Sequence, residues 1–261
     1  MAIRLLKKEP RFKKIDELGM SDQLKIQYQK VLHQTNGLIL ITGPTSSGKT
    51  TTLYASLQFL NQISHNITTL EDPVEYKIDG VNQVQVQSDI GLTFSRGLRS
   101  ILRQDPNVIL IGEIRDRETA NIAIEAALTG HLVLSSLHTY DSASAITRLL
   151  DMGIEPYLVA SSIQMIVAQR LVRKLCHCKG TDSTCTDCTG EGFSGRFAVF
   201  EGLQIVDPIR ELILNQDSTQ AIRLKMKENN FLSLQDVLSE KVNQGITTMD
   251  EFHRVLVTNY E

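Results

Sequence analysis

The sequence predicts an α/β domain built on a mostly parallel β-sheet with helices on both faces. Short apolar runs of strand type alternate with segments whose apolar residues recur at helical spacing, which is typical of parallel sheets. A glycine-rich loop also joins one of these runs to a helix-compatible segment, as in proteins that hold phosphate groups.

The first elements along the chain are a strand and an amphipathic helix. Ile3–Leu6 is predicted to be a strand, followed by a polar linker up to residue 20. Ser21–Gln34 is predicted to be a helix, because its apolar residues fall on one face and Asn36-Gly37 follows as a stop signal.

The glycine-rich loop reads GPTSSGKT and fits the phosphate-binding pattern G-x-x-x-x-G-K-[ST]. It lies between a predicted strand, Leu38–Thr42, and a predicted helix, Thr51–Leu60, and this context argues against a chance glycine turn. Lys49 is expected to reach the β- and γ-phosphates of a nucleotide, and the Thr50 hydroxyl is expected to bind Mg²⁺. The predicted nucleotide-binding residues are Gly43, Pro44, Thr45, Ser46, Ser47, Gly48, Lys49, Thr50 and Thr51.

The next elements continue the alternation of strands and helices. Ile67–Leu70 is predicted to be a strand, and Tyr76–Gln87 a hairpin that turns at Asp79-Gly80. Further strands are predicted at Val108–Ile111 and Leu132–Leu137. Helices are predicted at Phe94–Arg103, Asp116–Leu128, Ser142–Met152 and Tyr157–Leu171, and residues 207–257 are predicted to be mostly helical.

The composition is that of a globular protein, with 41% hydrophobic and 22% charged residues among 261. A formal net charge of −3 argues against a general nucleic-acid coat. No apolar run approaches the roughly 20 residues that span a bilayer, and the N-terminus lacks a secretory pattern, so a cytoplasmic location is expected.

Acidic and histidine side chains follow three of the predicted strands, where ligands bind in open α/β sheets. Glu113 could hold the water shell of Mg²⁺ or polarise the attacking water. One of Glu71, Asp72 and Glu75 could act as a general base. His138 could donate a hydrogen bond to the γ-phosphate. The alternatives are solvated loop charges for the acids and a capping or core role for the histidine.

Arginines cluster around the strand that precedes Glu113. Arg96, Arg99 and Arg103 share one face of a predicted helix, and Arg115 follows the strand. They are either a solvated basic face paired with acids, or guanidinium groups aimed at phosphates in cis or across a subunit boundary.

The four cysteines, Cys176, Cys178, Cys185 and Cys188, fall in one polar, glycine-rich segment. This grouping predicts a structural zinc site rather than a disulfide framework, with His177 as a possible substitute ligand. Reduced or redox-active thiols are the alternative.

Three stretches together, ITGPTSSGKTTTLYASL, TTLEDPVEY and GLTFSRGLRSILRQDPNVILIGEIRDRETANIAIEAALTGHLVLSSLHT, resemble the ATPase family of type II secretion, type IV pilus assembly and competence. They carry the Walker A, Asp, Walker B and His boxes in order. The resemblance implies a RecA-like P-loop NTPase domain in a hexameric ring, with ATP and Mg²⁺ at subunit interfaces.

The resemblance also implies residue roles. Glu75 matches the catalytic base of the Asp box, and Glu113 matches the Walker B acid. His131 and His138 match the His-box histidines. The positions matched to phosphate and Mg²⁺ contacts are Lys49 and Thr50, and those matched to interface arginines are Arg99, Arg103 and Arg115.

Two positions depart from the family pattern, because Ser46 stands where glycine is usual and Tyr140 stands where asparagine is common. The cysteine segment favours an assembly motor, since retraction ATPases of pili typically lack a zinc module. The machine could serve secretion, pilus assembly or competence.

The resemblance implies four regions: a remnant or linker of an upstream domain at 1–20, the ATPase core at 21–172, a zinc module at 173–200 and a C-terminal helical subdomain at 201–261. The expected partners are further copies of the chain and an inner-membrane platform protein at the cytoplasmic face of the plasma membrane, with no direct contact to nucleic acid. Slow hydrolysis and weak assembly are expected of the isolated chain. A DNA-acting RecA-like ATPase and a low-turnover nucleotide-dependent scaffold are the alternative functions.

Overall fold

A seven-stranded β-sheet organises residues 13–256, the part of the chain that this computed structural model describes. Its strands in chain order are β1 Gly37–Thr42, β2 Ile67–Glu71, β3 Asn82–Gln85, β4 Val108–Ile111, β5 Leu132–Leu137, β6 Ile163–Leu175 and β7 Phe193–Gln204. In space the order is β3-β2-β4-β5-β1-β6-β7, and only β7 pairs antiparallel with its neighbour. The mostly parallel sheet is therefore confirmed, while the predicted strand Ile3–Leu6 lies outside the described residues.

Helices cover both faces of the sheet, as the continuous apolar strands require. In β1, Leu38 and Leu40 join the core on one face and Ile39 and Ile41 the core on the other, and all four are fully buried. The second face is covered by α1 Asp22–Leu32 and α2 Lys49–Leu60. The first face is covered by α3 Phe94–Ile101, α4 Arg117–Leu128, α5 Ser142–Asp151 and α6 Pro156–Ser162.

Between the last strand and residue 256 the structure has four more helices: α7 Asp207–Leu214, α8 Thr219–Glu228, α9 Leu234–Asn243 and α10 Met249–Leu256. The first two extend the core of the first face through Ile213 and Ile222. The last two pack Leu238 and Val255 onto Val172 and Val199 of β6 and β7. No helix within residues 13–256 is both long and apolar enough to cross a bilayer.

The predicted helix Tyr157–Leu171 is wrong over its second half. Helix α6 ends at Ser162, and the chain continues as the 13-residue strand β6. Ile166 and Val167 of β6 join the cores on opposite faces of the sheet, and both are fully buried. A strand without an exposed face has a continuous apolar sequence, which periodicity cannot distinguish from a buried helix.

The predicted hairpin at Tyr76–Gln87 is also wrong. The chain does turn at Asp79-Gly80, where Gly80 has a φ of 80°. The strand that follows, β3, pairs in parallel with β2, and residues 76–81 belong to a loop. The turn lies where the sequence predicts it, but its two flanks do not pair with each other.

Strands β6 and β7 form a long antiparallel pair that holds the cysteine segment at its tip. The pairing extends from Met165 with Gln204 to Leu175 with Phe193. Both ends of the predicted zinc module, 173–200, therefore belong to strands of the main sheet, and residues 201–204 complete β7.

Candidate functional site

The glycine-rich loop connects β1 to α2, and two of its glycines occupy positions that have no room for a side chain. A Cβ atom on Gly43 would lie 2.5 Å from the carbonyl oxygen of Gln169 and 2.6 Å from Oγ of Ser47. One on Gly48 would lie 2.7 Å from Nε2 of Gln169, and Gly48 has a left-handed φ of 92°. Only glycine lets this loop fold so tightly against β6.

Ser46 occupies the loop position where the family pattern has glycine. Its φ is 64°, so the position does require the left-handed conformation that L-residues avoid. Its side chain is exposed, which leaves room for the serine in spite of the backbone strain.

Several donors point into the loop in the way that a phosphate group requires. Helix α2 begins at Lys49, directly after the loop, so the positive end of its dipole faces the loop. The residue before it, Gly48, has no side chain that could cap the first N–H groups of the helix. The Lys49 ammonium donates to the carbonyl oxygens of Gly43 and Pro44 at 2.7 and 3.0 Å. The buried Oγ of Ser47 has no hydrogen-bond partner within residues 13–256. These features fit an anionic ligand.

The side chain of Lys49 loses its charge at a lower pH than an exposed lysine does. Burial lowers its pKa from 10.5 to about 8, with a further lowering by Arg170 and an opposing effect of Glu113. A bound polyanion would favour the charged form and raise this pKa again.

Glu113 follows β4 and lies at the centre of a charged cluster. One carboxylate oxygen accepts from Arg115 at 2.6 Å, and the other lies 3.2 Å from Nε2 of His138. Burial raises the pKa of Glu113, but Arg115, His138 and Lys49 outweigh burial and hold it below 4.5. The carboxylate is therefore ionised at neutral pH.

His138 follows β5 and faces the same carboxylate. Its pKa lies below 6.5 because burial and the charge of Lys49 disfavour the imidazolium, although Glu113 opposes them. The imidazole is therefore neutral at pH 7. Because an ionised carboxylate can only accept, Nε2 must carry the proton in the contact with Glu113.

The acids at the end of β2, Glu71, and just after it, Asp72 and Glu75, have different surroundings. Glu71 is buried, and its carboxylate accepts from Tyr54, from Thr69 at 2.6 Å and from Gln83 at 3.2 Å. Asp72 is exposed and lies 3.9 Å from Arg115. Glu75 is half-buried and its backbone N–H donates to the Tyr54 hydroxyl at 3.3 Å.

These groups share one cleft of about 510 Å³ at the carboxyl ends of the parallel strands. The cleft is lined by the glycine-rich loop from Thr45 to Thr51 and by Glu75, Glu113 and His138. The structure therefore brings together the phosphate-loop, Asp-box, Walker B and His-box residues that the sequence singled out, apart from His131.

Several lining residues were not predicted from the sequence, among them Tyr54 and Arg196. Tyr54 lies on α2 among the apolar residues of that helix, where a tyrosine gives no signal of a function. Arg196 reaches the cleft from β7 and has no ion pair or hydrogen bond of its side chain within the described range. It lies far along the chain, beyond the cysteine segment, so nothing in the sequence links it to the loop.

Arg115 lies at the cleft through its contact with Glu113, but Arg99 and Arg103 do not. Arg99 pairs with Glu118 at 2.7 Å, and Arg103 donates to the carbonyl oxygen of Arg99 at 2.9 Å. Both line a separate groove between α3 and α4. A role of these two at a nucleotide would require a neighbouring copy of the chain.

His131 lies at the opposite end of β5 from His138. Its Nδ1 is 3.0 Å from the carbonyl oxygen of Ala126. A six-residue strand spans about 20 Å, so His131 cannot reach the cleft of its own chain.

The four cysteines of the β6–β7 segment converge on one point. Their Sγ atoms all lie within 4.8 Å of one another, with 3.8 Å between Cys176 and Cys185 and 3.4 Å between Cys178 and Cys188. Zn–S bonds of about 2.3 Å in a tetrahedron place the sulfur atoms about 3.8 Å apart. The donor set therefore fits zinc, while His177 lies exposed beside Asp187 at 3.3 Å.

The family described as Type II/IV secretion system protein matches residues 1–254. The chain is 44% identical over 279 residues to the type II secretion system protein E of Pseudomonas aeruginosa, covering 98% of the chain and 55% of that protein. It is 43% identical over 283 residues to the type IV pilus assembly ATPase PilB of Myxococcus xanthus, covering 96% of the chain and 49% of PilB.

Among solved structures, the pilus retraction motor PilT with bound ADP has a TM-score of 0.78 and 32% sequence identity. The match covers 96% of the chain and 68% of that structure. The chain spans about half the length of the curated relatives described above.

Proposed function

The chain belongs to the Type II/IV secretion system protein family, and on that premise we propose that it is the ATP-hydrolysing motor domain of a machine that assembles a pilus or pseudopilus. The observation that carries this proposal is the cleft that gathers the glycine-rich loop, Glu75, Glu113 and His138. A scaffold that only binds nucleotide needs the loop but not the acids.

In this proposal the loop binds the phosphates. The N–H groups at the start of α2 and the Lys49 ammonium hold the phosphate oxygens, and the orphaned hydroxyl of Ser47 donates to them. In the complex, phosphate oxygens take the place of the two carbonyl oxygens to which the Lys49 ammonium donates in the free protein.

Thr50 and Glu113 are the residues that would hold Mg²⁺, because both line the cleft and Glu113 is ionised. When bound, the ion neutralises charge that develops on the phosphates during hydrolysis. Arg115 and His138 hold the Glu113 carboxylate in place from two sides.

Glu75 acts as the general base that takes a proton from the attacking water. It lines the cleft and matches the catalytic base of the Asp box in the family pattern, and the neighbouring Glu71 already accepts hydrogen bonds from Tyr54, Thr69 and Gln83. Neutral His138 can donate a hydrogen bond from Nε2 to a γ-phosphate oxygen instead of to Glu113. The hydrogen bonding at the end of β5 then depends on whether that phosphate is present.

Arg99 and Arg103 act in trans, from one copy of the chain onto the cleft of the next in a hexameric ring. This assignment accounts for exposed guanidinium groups that do not reach their own cleft. A ring would work at the cytoplasmic face of the membrane, coupled to a platform protein there.

The cysteine cluster holds a structural Zn²⁺. Its four thiolates close the tip of the β6–β7 pair, a segment that is rich in turns and has little apolar content of its own. Because retraction ATPases of pili typically lack such a module, its presence favours an assembly motor.

Steady-state ATP hydrolysis tests the assignment of the cleft. We expect Glu113→Gln and Lys49→Ala each to lower the rate by at least about a hundredfold, the scale on which groups that act at the transition state contribute. The matched control is Glu228→Gln, which removes an exposed carboxylate on α8, outside the cleft. Equal rates in Glu113→Gln and in the control would contradict the proposal.

A further inference from the structure

The hydroxyl of Tyr54 lies where helix α2 meets the loop that carries Glu75. The ring is almost fully buried. The hydroxyl donates to the Glu71 carboxylate and accepts from the backbone N–H of Glu75 at 3.3 Å. One side chain of the phosphate-binding helix therefore holds the main chain of the residue proposed as general base.

Glu71 sets the direction of that hydroxyl. Its second oxygen accepts from Thr69 and Gln83, so the carboxylate is fixed from three sides. Burial raises the pKa of Tyr54, and the Glu71 carboxylate raises it further. The phenol therefore keeps its proton, which points to Glu71 and leaves an oxygen lone pair for the N–H of Glu75.

The segment that contains Glu75 depends on such side-chain contacts, because residues 72–78 belong to no helix or strand. Gln85 accepts from the N–H of Val74 at 3.3 Å. Gln83 accepts from the N–H of Ile78 at 2.8 Å and donates to the carbonyl oxygen of residue 76 at 3.2 Å.

These two glutamines tie the segment to β3, whereas Tyr54 ties it to α2. The Tyr54 ring adds an edge-to-face contact with Tyr76, at 4.8 Å between ring centroids. The distance between the helix that holds the phosphates and the loop that carries the base therefore depends on Tyr54.

We propose that Tyr54, oriented by Glu71, is a positioning residue that fixes the main chain of Glu75 relative to the phosphate-binding helix. Tyr54 touches no reacting atom in this account and acts through Glu75, so the inference rests on the proposed function. Its loss should slow the chemical step and leave nucleotide binding intact, because the contacts of the phosphate loop do not involve this hydroxyl.

Tyr54→Phe tests the inference, because it keeps the buried ring and removes only the hydroxyl. Tyr28→Phe is the matched control, since Tyr28 is fully buried and its hydroxyl also bonds to α2, at Ser56 (2.7 Å), but outside the cleft. We expect Tyr54→Phe to lower kcat about tenfold with KM within about twofold, and Tyr28→Phe to change neither.

Amide hydrogen exchange provides a readout that does not depend on turnover. Exchange of residues 72–78 should accelerate in Tyr54→Phe and stay unchanged in Tyr28→Phe. Wild-type kcat or wild-type exchange in a folded Tyr54→Phe would overturn the inference. If the wild-type chain binds nucleotide without hydrolysing it, the exchange result alone decides.

Two further variants separate the possible failures. Full hydrolysis by Glu75→Gln would contradict the proposed function, because the base itself would be dispensable. An inactive Glu75→Gln together with a fully active Tyr54→Phe would contradict only the positioning role. Should Tyr54→Phe fail to fold, Glu71→Gln weakens the same contact without removing a ring, and the same fall in kcat at constant KM is expected.

Discussion

Nucleotide affinity should depend on pH through Lys49, and the structure gives the size of the effect. The free protein has its Lys49 pKa at about 8, because burial disfavours the ammonium more than Glu113 stabilises it. Bound phosphates favour the ammonium, so the pKa in the complex is higher. Above pH 8, binding therefore requires the uptake of a proton, and affinity must fall as pH rises.

The expected magnitude follows from the fraction of Lys49 that is charged before binding. With a pKa of about 8, most of the side chain is charged at pH 7 and roughly one tenth at pH 9. If the pKa in the complex stays above 9, the affinity for ADP falls about tenfold over this range, or about 1.4 kcal/mol. The phosphates themselves are already ionised at pH 7, so they add little to the change.

Isothermal titration calorimetry with ADP at constant Mg²⁺ and ionic strength measures this dependence. Repeating the titration in buffers of different ionisation enthalpy gives the number of protons taken up, which we expect to approach one at pH 9. Lys49→Arg is the matched control, because a guanidinium stays charged and should give a flat profile from pH 7 to pH 9. A wild-type affinity that is equal at pH 7 and pH 9, without proton uptake, would refute the reasoning.

The remaining predictions concern the cysteine cluster and Arg196. Purified protein should carry one Zn²⁺ per chain, measured by atomic emission, and Cys185→Ser should lose it and lower the melting temperature; a metal-free wild type with unchanged stability would argue for plain thiols. Arg196→Gln should weaken ATP binding about tenfold in a fluorescence titration, because a charge-assisted hydrogen bond to phosphate is lost, whereas the surface control Arg210→Gln should not. Equal affinities of the two arginine variants would place Arg196 outside the binding site.

The glycine-rich loop and the strand-end acids could be predicted because their signals are local. Gly43 and Gly48 belong to one contiguous sequence motif, and Glu113 follows an apolar run that identifies a buried strand. The parallel sheet then places all such strand ends at one edge. The serine at position 46, where the family pattern has glycine, also marks a position of special backbone conformation, since Ser46 does adopt a positive φ.

The features that the sequence predicts wrongly or not at all depend on residues that lie far away along the chain. Residues 163–171 of β6 are predicted to be helical because burial on both faces removes the alternation that marks a strand. The sequence predicts a hairpin where β3 pairs with β2, because a turn dipeptide does not show which strand will pair with its flanks. Arg196 reaches the cleft only because β7 returns antiparallel beside β6, and no pattern in the sequence reports that return.

The rate of ATP hydrolysis as a function of protein concentration, with and without DNA, tests most directly the claim that the chain is a ring motor with sites completed between subunits. The account predicts a rate that rises faster than linearly with protein concentration, falls in Arg99→Ala, disappears in Glu113→Gln and ignores DNA. A strictly linear rate that Arg99→Ala and Glu113→Gln retain, or one that DNA stimulates strongly, would contradict it.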